Sequence, residues 1–268
     1  MIATAAPPSS TAENPSADRY LDVPGARLRY RDEGRGPAVM LLHGWTLDLE
    51  MWDPQVAGLR SDLRLVRFDR RGSGHDATDM AALCRHLNIA RIALIGMSQG
   101  ARASLQFAAK APEIVSALIL DGPPALDGAA AEDDVPIAHL REVLESRGVE
   151  AFRREWRSHP LVQLRSRDPA IRQLVDRMIE RYAAQDLDAR DAIPPLSLDS
   201  MPAPTLILSG EFDLSSRLRT AARLRAQLRA AEHVVVPDAG HLINLDQPKI
   251  YNELCRSFLA RHAIISTD

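Results

Sequence analysis

The stretch IALIGMSQGARASL, residues 92–105, runs an apolar segment into a helix-like one and sets Gly96, Ser98 and Gly100 at the junction. A short continuous apolar run reads as a strand buried on both faces, whereas GARASLQFAAKA (100–111) carries a helical pattern. Gly-x-Ser-x-Gly at such a junction lets the chain turn sharply enough to present the serine hydroxyl above the sheet. The flanking glycines remove side chains that would clash across the turn. Ser98 is therefore displayed rather than packed away, and it is the candidate nucleophile.

Working outward, ARLRYRDEG (26–34) alternates like a half-exposed strand, and AVMLL (38–42), LRLVRFD (63–69) and ALILD (117–121) repeat the doubly buried type. Helical patterns separate them, so the alternation reads as βα units with right-handed crossovers. It resumes with PTLILSG (204–210), the helix RLRTAARLRAQLRA, EHVVVPD (232–238) and the helix KIYNELCRSFLARH. The expected fold is α/β: a mostly parallel central sheet of about eight strands flanked by helices. Residues 18–122 and 201–268 form this core. Residues 123–200 break the pattern with two helical stretches between proline-rich ends and read as a helical cap inserted through hinges. Residues 1–17 lack a basic n-region and an apolar h-region and read as a disordered leader.

The 268 residues include 33 basic and 36 acidic side chains, for a net charge of −3 with no long block of either sign. That balance argues against nucleic acid and membrane surfaces as partners and for a small molecule. Cys84 and Cys255 lie in helical stretches without metal-ligand spacing and read as buried free thiols, which with the absence of a signal sequence gives a cytoplasmic expectation. No metal or cofactor is expected, and homo-oligomerisation stays open.

A serine nucleophile needs a base, which histidine supplies because its unperturbed pKa lies near neutrality. Of eight histidines, His241 stands out: it follows the last strand through PDAG, where Gly240 permits a tight turn. The other seven, among them His43, His86, His139, His159, His233 and His262, read as structural or solvated. The base needs a carboxylate to fix its tautomer. Asp213, just past the strand in LSGEFD, is the candidate, with Glu211 and Asp121 as rivals. The backbone N–H of Gln99, at the start of the helix after Ser98, is one candidate donor to an oxyanion.

LLHGWTLDLEMWDPQ (41–55), FDRRGSG (68–74), GMSQGA (96–101), LSGEFD (208–213) and DAGHLINLDQP (238–248) together resemble, in order, the signature segments of the α/β-hydrolase fold enzymes. They are most similar to the esterase, enol-lactonase and perhydrolase branch. The resemblance implies a Ser-Asp-His order for the triad and a second oxyanion donor from the backbone of Trp45. It also implies hydrolysis of carboxylic esters or lactones through an acyl-enzyme. Carbon–carbon bond hydrolysis by the same triad, or a ligand-binding or signalling protein with slow residual hydrolysis, are the alternatives. Met97, Phe152, Trp156 and Leu242 are the expected pocket residues. Asp69 and Arg71 read as loop-holding residues. Only residues 75–88 separate Gly74 from the end of the next helix pattern, fewer than the resemblance would lead one to expect.

Overall fold

The computed structural model describes residues 17–72, 74–126, 135–184, 186–187, 196, 198 and 201–265. The leader, nearly all of it, and parts of both proline-rich ends of the insertion lie outside these residues. One eight-stranded sheet organises the chain, in the order β1-β2-β4-β3-β5-β6-β7-β8. Its strands are β1 (Arg19–Val23), β2 (Ala26–Gly34), β3 (Ala38–Leu42), β4 (Arg64–Phe68), β5 (Ile92–Met97), β6 (Val115–Asp121), β7 (Thr205–Gly210) and β8 (Ala231–Val236). The β1–β2 and β2–β4 pairings are antiparallel and the others parallel.

Two-residue periodicity explains the burial. Val39 and Leu41 of β3 and Ala93, Ile95 and Met97 of β5 enter one core cluster, while Met40, Leu42, Ile92 and Leu94 enter the other. The second face is covered by α2 (Asp76–His86), α3 (Gln99–Lys110) and α6 (Ser215–Gln227). The first is covered by α1 (Asp53–Leu59) and α8 (Pro248–Arg261), which follows the single turn α7 (Ile243–Asp246). Between β6 and β7 run α4 (Ile137–Trp156) and α5 (Pro169–Arg181), whose apolar residues join the first cluster. At Gly148 (φ 79°) α4 is kinked.

From β3 the chain steps to β4 on one side, then returns to β5 on the other. Such a reversal opens a crevice outside the carboxyl ends of the two strands, the usual ligand position in an open α/β sheet. The segments after β3 and β5 are His43-Gly44-Trp45 and Ser98-Gln99. Among the described residues no helix is long and apolar enough to cross a membrane.

Candidate active site

Met97 closes β5 and Gln99 opens α3, so Ser98 alone makes the turn, at φ 52° and ψ −114°. A positive φ strains any residue with a Cβ, and such strain persists only where the surroundings over-determine it. They do here. A Cβ on Gly96 would stand 2.3 Å from the Gly100 carbonyl oxygen, and one on Gly100 would stand 2.1 Å from that of Leu42. The Ser98 N–H donates to the Asp121 carbonyl (2.7 Å), tying the turn to the end of β6.

His241 lies on the loop after β8, and Asp213 on the loop after β7. The imidazole Nδ1 is 3.0 Å from Asp213 Oδ1 and 2.9 Å from Oδ2, and both residues are buried. A proton on Nδ1 serves this contact and leaves Nε2 as the basic nitrogen; Nε2 is buried without a hydrogen-bond partner. Asp246 anchors the histidine loop: Oδ2 accepts the Gly240 N–H (2.8 Å), and Oδ1 accepts those of Arg165 (2.8 Å) and Ser166 (2.9 Å) in the insertion. Gly122 packs against the pair. Its φ is +51°, and a Cβ there would fall 2.7 Å from His241 Cε1 and 3.2 Å from Asp213 Oδ2.

Ser98 and His241 line one cavity together with Trp45, Gln99, Met97, Trp156 and Leu242. Gln99 is the first residue of α3, so its N–H has no acceptor within the helix. Gly44 brings the loop bearing Trp45 close: a Cβ there would sit 2.6 Å from Met97 Sδ. Thr46, β-branched yet at φ 64°, is held by the Trp156 indole N–H, which donates to its Oγ1 (2.7 Å). Phe152 is not among the residues lining this cavity. It is fully buried, edge-on to Trp45 and tilted against Tyr182, one helical turn before Trp156 on the same face of α4.

The alpha/beta hydrolase family model matches residues 39–254, a span that contains Ser98, Asp213 and His241. The chain belongs to the alpha/beta hydrolase family. This hydrolase is 29% identical over 269 residues to a 2-(acetamidomethylene)succinate hydrolase from Mesorhizobium japonicum, covering 90% of this chain and 94% of the relative. A 2-hydroxy-6-oxo-6-(2'-aminophenyl)hexa-2,4-dienoic acid hydrolase from Metapseudomonas resinovorans is 25% identical over 291 residues, 96% of each chain. Among solved structures, a thermophilic esterase from Thermogutta terrifontis superposes with a TM-score of 0.75 at 26% identity, covering 92% of this chain and 99% of that one.

Both rival acids of this hydrolase sit away from the imidazole's hydrogen bond. Glu211 is exposed and accepts the Asp238 N–H (3.0 Å). Asp121 is completely buried, and neither of its carboxyl oxygens nor the Tyr251 hydroxyl closes a hydrogen bond, although the two groups are near enough to affect each other's protonation. Burial first, then the charges of Asp213 and Asp246, push the Asp121 carboxyl well above the usual carboxylate range. The shift favours the neutral carboxyl, which supplies no negative charge to a histidine.

Burial also favours the neutral form of His43. It accepts the Arg70 N–H at Nε2 (2.8 Å) and faces the Gly44 carbonyl from Nδ1 (2.8 Å), so both nitrogens are committed to the turn. Burial, reinforced by Arg70, lowers its pKa to about 4. The unfolded chain, with His43 near 6.5, binds more protons between these values. The stability from neutral His43 is complete above pH 6.5 and is lost as the pH falls toward 4. Wild type should lose about 3 kcal/mol more than His43→Gln between pH 7 and pH 4, measured by urea unfolding.

A second, more polar cleft adjoins the other side of Trp45 and Gln99 and includes Arg70, Gly72, Arg181 and Asp186 in its lining. Its arginines are neutralised within the protein: Arg70 meets Asp76 (2.7 Å), and Arg181 meets Asp48 (2.6 Å) and Glu50 (2.7 Å). Asp69, Arg70 and Gly72 of the FDRRGSG segment line this wall, and α2 begins at Asp76, two residues after Gly74. Asp69 and Arg71 hold loops through other partners, Asp69 through the Leu49 N–H (2.9 Å) and Arg71 through Asp79 (2.6 Å). His159, read as solvated, instead stacks on Trp156 with ring centroids 4.5 Å apart.

Proposed function

We propose that this alpha/beta hydrolase cleaves carboxylic esters or lactones with Ser98 as nucleophile, His241 as general base and Asp213 as the acid that orients it. The Ser98 hydroxyl attacks the substrate carbonyl carbon while His241 Nε2 takes its proton. Charge then develops on the carbonyl oxygen, where the N–H groups of Gln99 and Trp45 receive it; each such donor contributes about 3–4 kcal/mol. The tetrahedral intermediate collapses as His241 returns the proton to the departing alkoxide, leaving an acyl-Ser98 that water hydrolyses through the same base. The helical insertion serves as the cap over this site.

The observation that carries the reading is the state of His241: Nδ1 engaged by Asp213, Nε2 buried without a partner, in the cavity that Ser98 lines. The esterase similar to this chain supports the ester reading. A panel of p-nitrophenyl esters and lactones of varied acyl length tests it. Many turnovers per protein molecule are expected, and at most one slow turnover across the panel contradicts it.

Carbon–carbon hydrolysis is the second reading, favoured by the relative from Metapseudomonas resinovorans, whose named substrate contains no ester, lactone or amide. Turnover of a 2-hydroxy-6-oxo-dienoate above that of every ester would select it. Either reading demands an undisplaced imidazole. Gly122→Ala would press a methyl group into His241 and is expected to lower kcat by about 10²-fold, the scale of a small misplacement of reacting groups, with a smaller change in KM. Steady-state kinetics of the folded variant checks this.

A further inference from the structure

The cavity that holds Ser98 and His241 contains one feature the hydrolytic mechanism leaves unused. Arg217, in the first turn of α6, is 4% exposed and lines this cavity. It is the only residue with a permanent charge among the described residues lining it. Besides Ser98, Gln99 and His241, the same cavity is lined by the apolar Val135, Leu161, Val162, Trp156 and Leu242.

Placing a guanidinium in such surroundings is costly. In a water-poor setting its attraction for an anion that enters the cavity is stronger than at a surface. The helix adds to the local positive field: Arg217 sits at the positive end of its dipole, and the first turn of α6 has no acidic residue. Arg217 already makes an interaction within the protein. A guanidinium has five N–H donors in a planar fork matched to a carboxylate, so one interaction does not exhaust it.

We propose that Arg217 is a specificity-determining residue that binds a carboxylate on the substrate, making the preferred substrates anionic esters or lactones. The inference rests on the hydrolase reading of Ser98, His241 and Asp213. It assigns to this site a substrate with two polar ends: a carbonyl at Ser98 and a carboxylate at Arg217, bridged by a short apolar stretch against Trp156 and Leu242.

The test uses matched probes on the full chain. Mono-p-nitrophenyl glutarate is paired with p-nitrophenyl pentanoate, and 4-carboxyphenyl butyrate with 4-methylphenyl butyrate, so the charge is presented on the acyl and leaving-group sides in turn. Wild type should favour the carboxylate in at least one pair by about tenfold or more in kcat/KM. Arg217→Met should abolish that preference, losing about 10- to 100-fold on the anionic ester and about threefold or less on its neutral partner; Arg217→Lys should keep part of it. Glutarate binding, measured by calorimetry on wild type and Arg217→Met, gives a readout independent of turnover, and about tenfold weaker binding is expected in the variant. Neutral esters hydrolysed at least as well as anionic ones by wild type overturn the inference and leave the hydrolase reading standing. Equal losses on both members of each pair in the variant also overturn it, making Arg217 a packing residue. No turnover of any ester, with glutarate binding that depends on Arg217, overturns the ester reading and keeps the anion site. If Arg217→Met fails to fold, the wild-type preference and the Arg217→Lys comparison decide.

Discussion

Ester turnover by Ser98→Ala is expected to fall by about 10⁶-fold, the scale on which removing the nucleophile of a serine hydrolase acts. The substitution deletes only the hydroxyl. Alanine keeps the Cβ, so the turn at φ 52° is no more strained, and the backbone N–H still donates to the Asp121 carbonyl. Substrate binding and overall fold should therefore be retained, with a residual rate from water attacking a carbonyl still polarised by the oxyanion donors. A loss smaller than about 10²-fold would place the nucleophile elsewhere. Single-turnover kinetics on one activated ester, with circular dichroism as the folding control, supplies the measurement.

Asp213→Asn should lower kcat by about 10⁴-fold with little change in KM. Asparagine keeps the size of the side chain but can present an amide N–H₂ toward Nδ1, which favours the tautomer with its proton on Nε2. That tautomer cannot accept the serine proton. The imidazolium formed during attack also loses its counter-charge. Asp121→Asn is the matched control. Asp121 lies next to the same site, but burial favours its neutral form, so an amide substitutes for a carboxyl of similar size without removing a charge the site relies on. Its rate should stay within about threefold of wild type. A larger loss at Asp121 than at Asp213 would move the acid to the end of β6.

The elbow and the candidate acid were legible because each follows a strand, β5 or β7, whose burial on both faces leaves an uninterrupted apolar run; the histidine loop follows the edge strand β8, which is partly exposed, and was marked instead by Gly240 in the turn after it. β1 escaped because it has five residues at the sheet edge and alternates only between half-buried and exposed. Helical spacing placed Phe152 and Trp156 on one face of α4. Which of them reaches the cavity depended on Trp45, an element more than one hundred residues away that wedges against both. Gly122 and Arg217 carried no local signal. The first matters because the loop after β6 passes directly against His241, the second because the first turn of α6 meets the cavity, and neither meeting has a sequence separation or period of its own. Asp246 lies within the histidine segment, and only its contacts to Gly240 and to the insertion give it a role.

Intact-mass analysis after treatment with a fluorophosphonate tests the assignment of the nucleophile most directly, because the reagent needs an activated serine and no knowledge of the natural substrate. Wild type should gain one adduct per chain, located at Ser98 by peptide mapping, while Ser98→Ala gains none and Asp213→Asn reacts far more slowly. A stoichiometric adduct on another residue, or labelling that persists in Ser98→Ala, would contradict the site described for this chain.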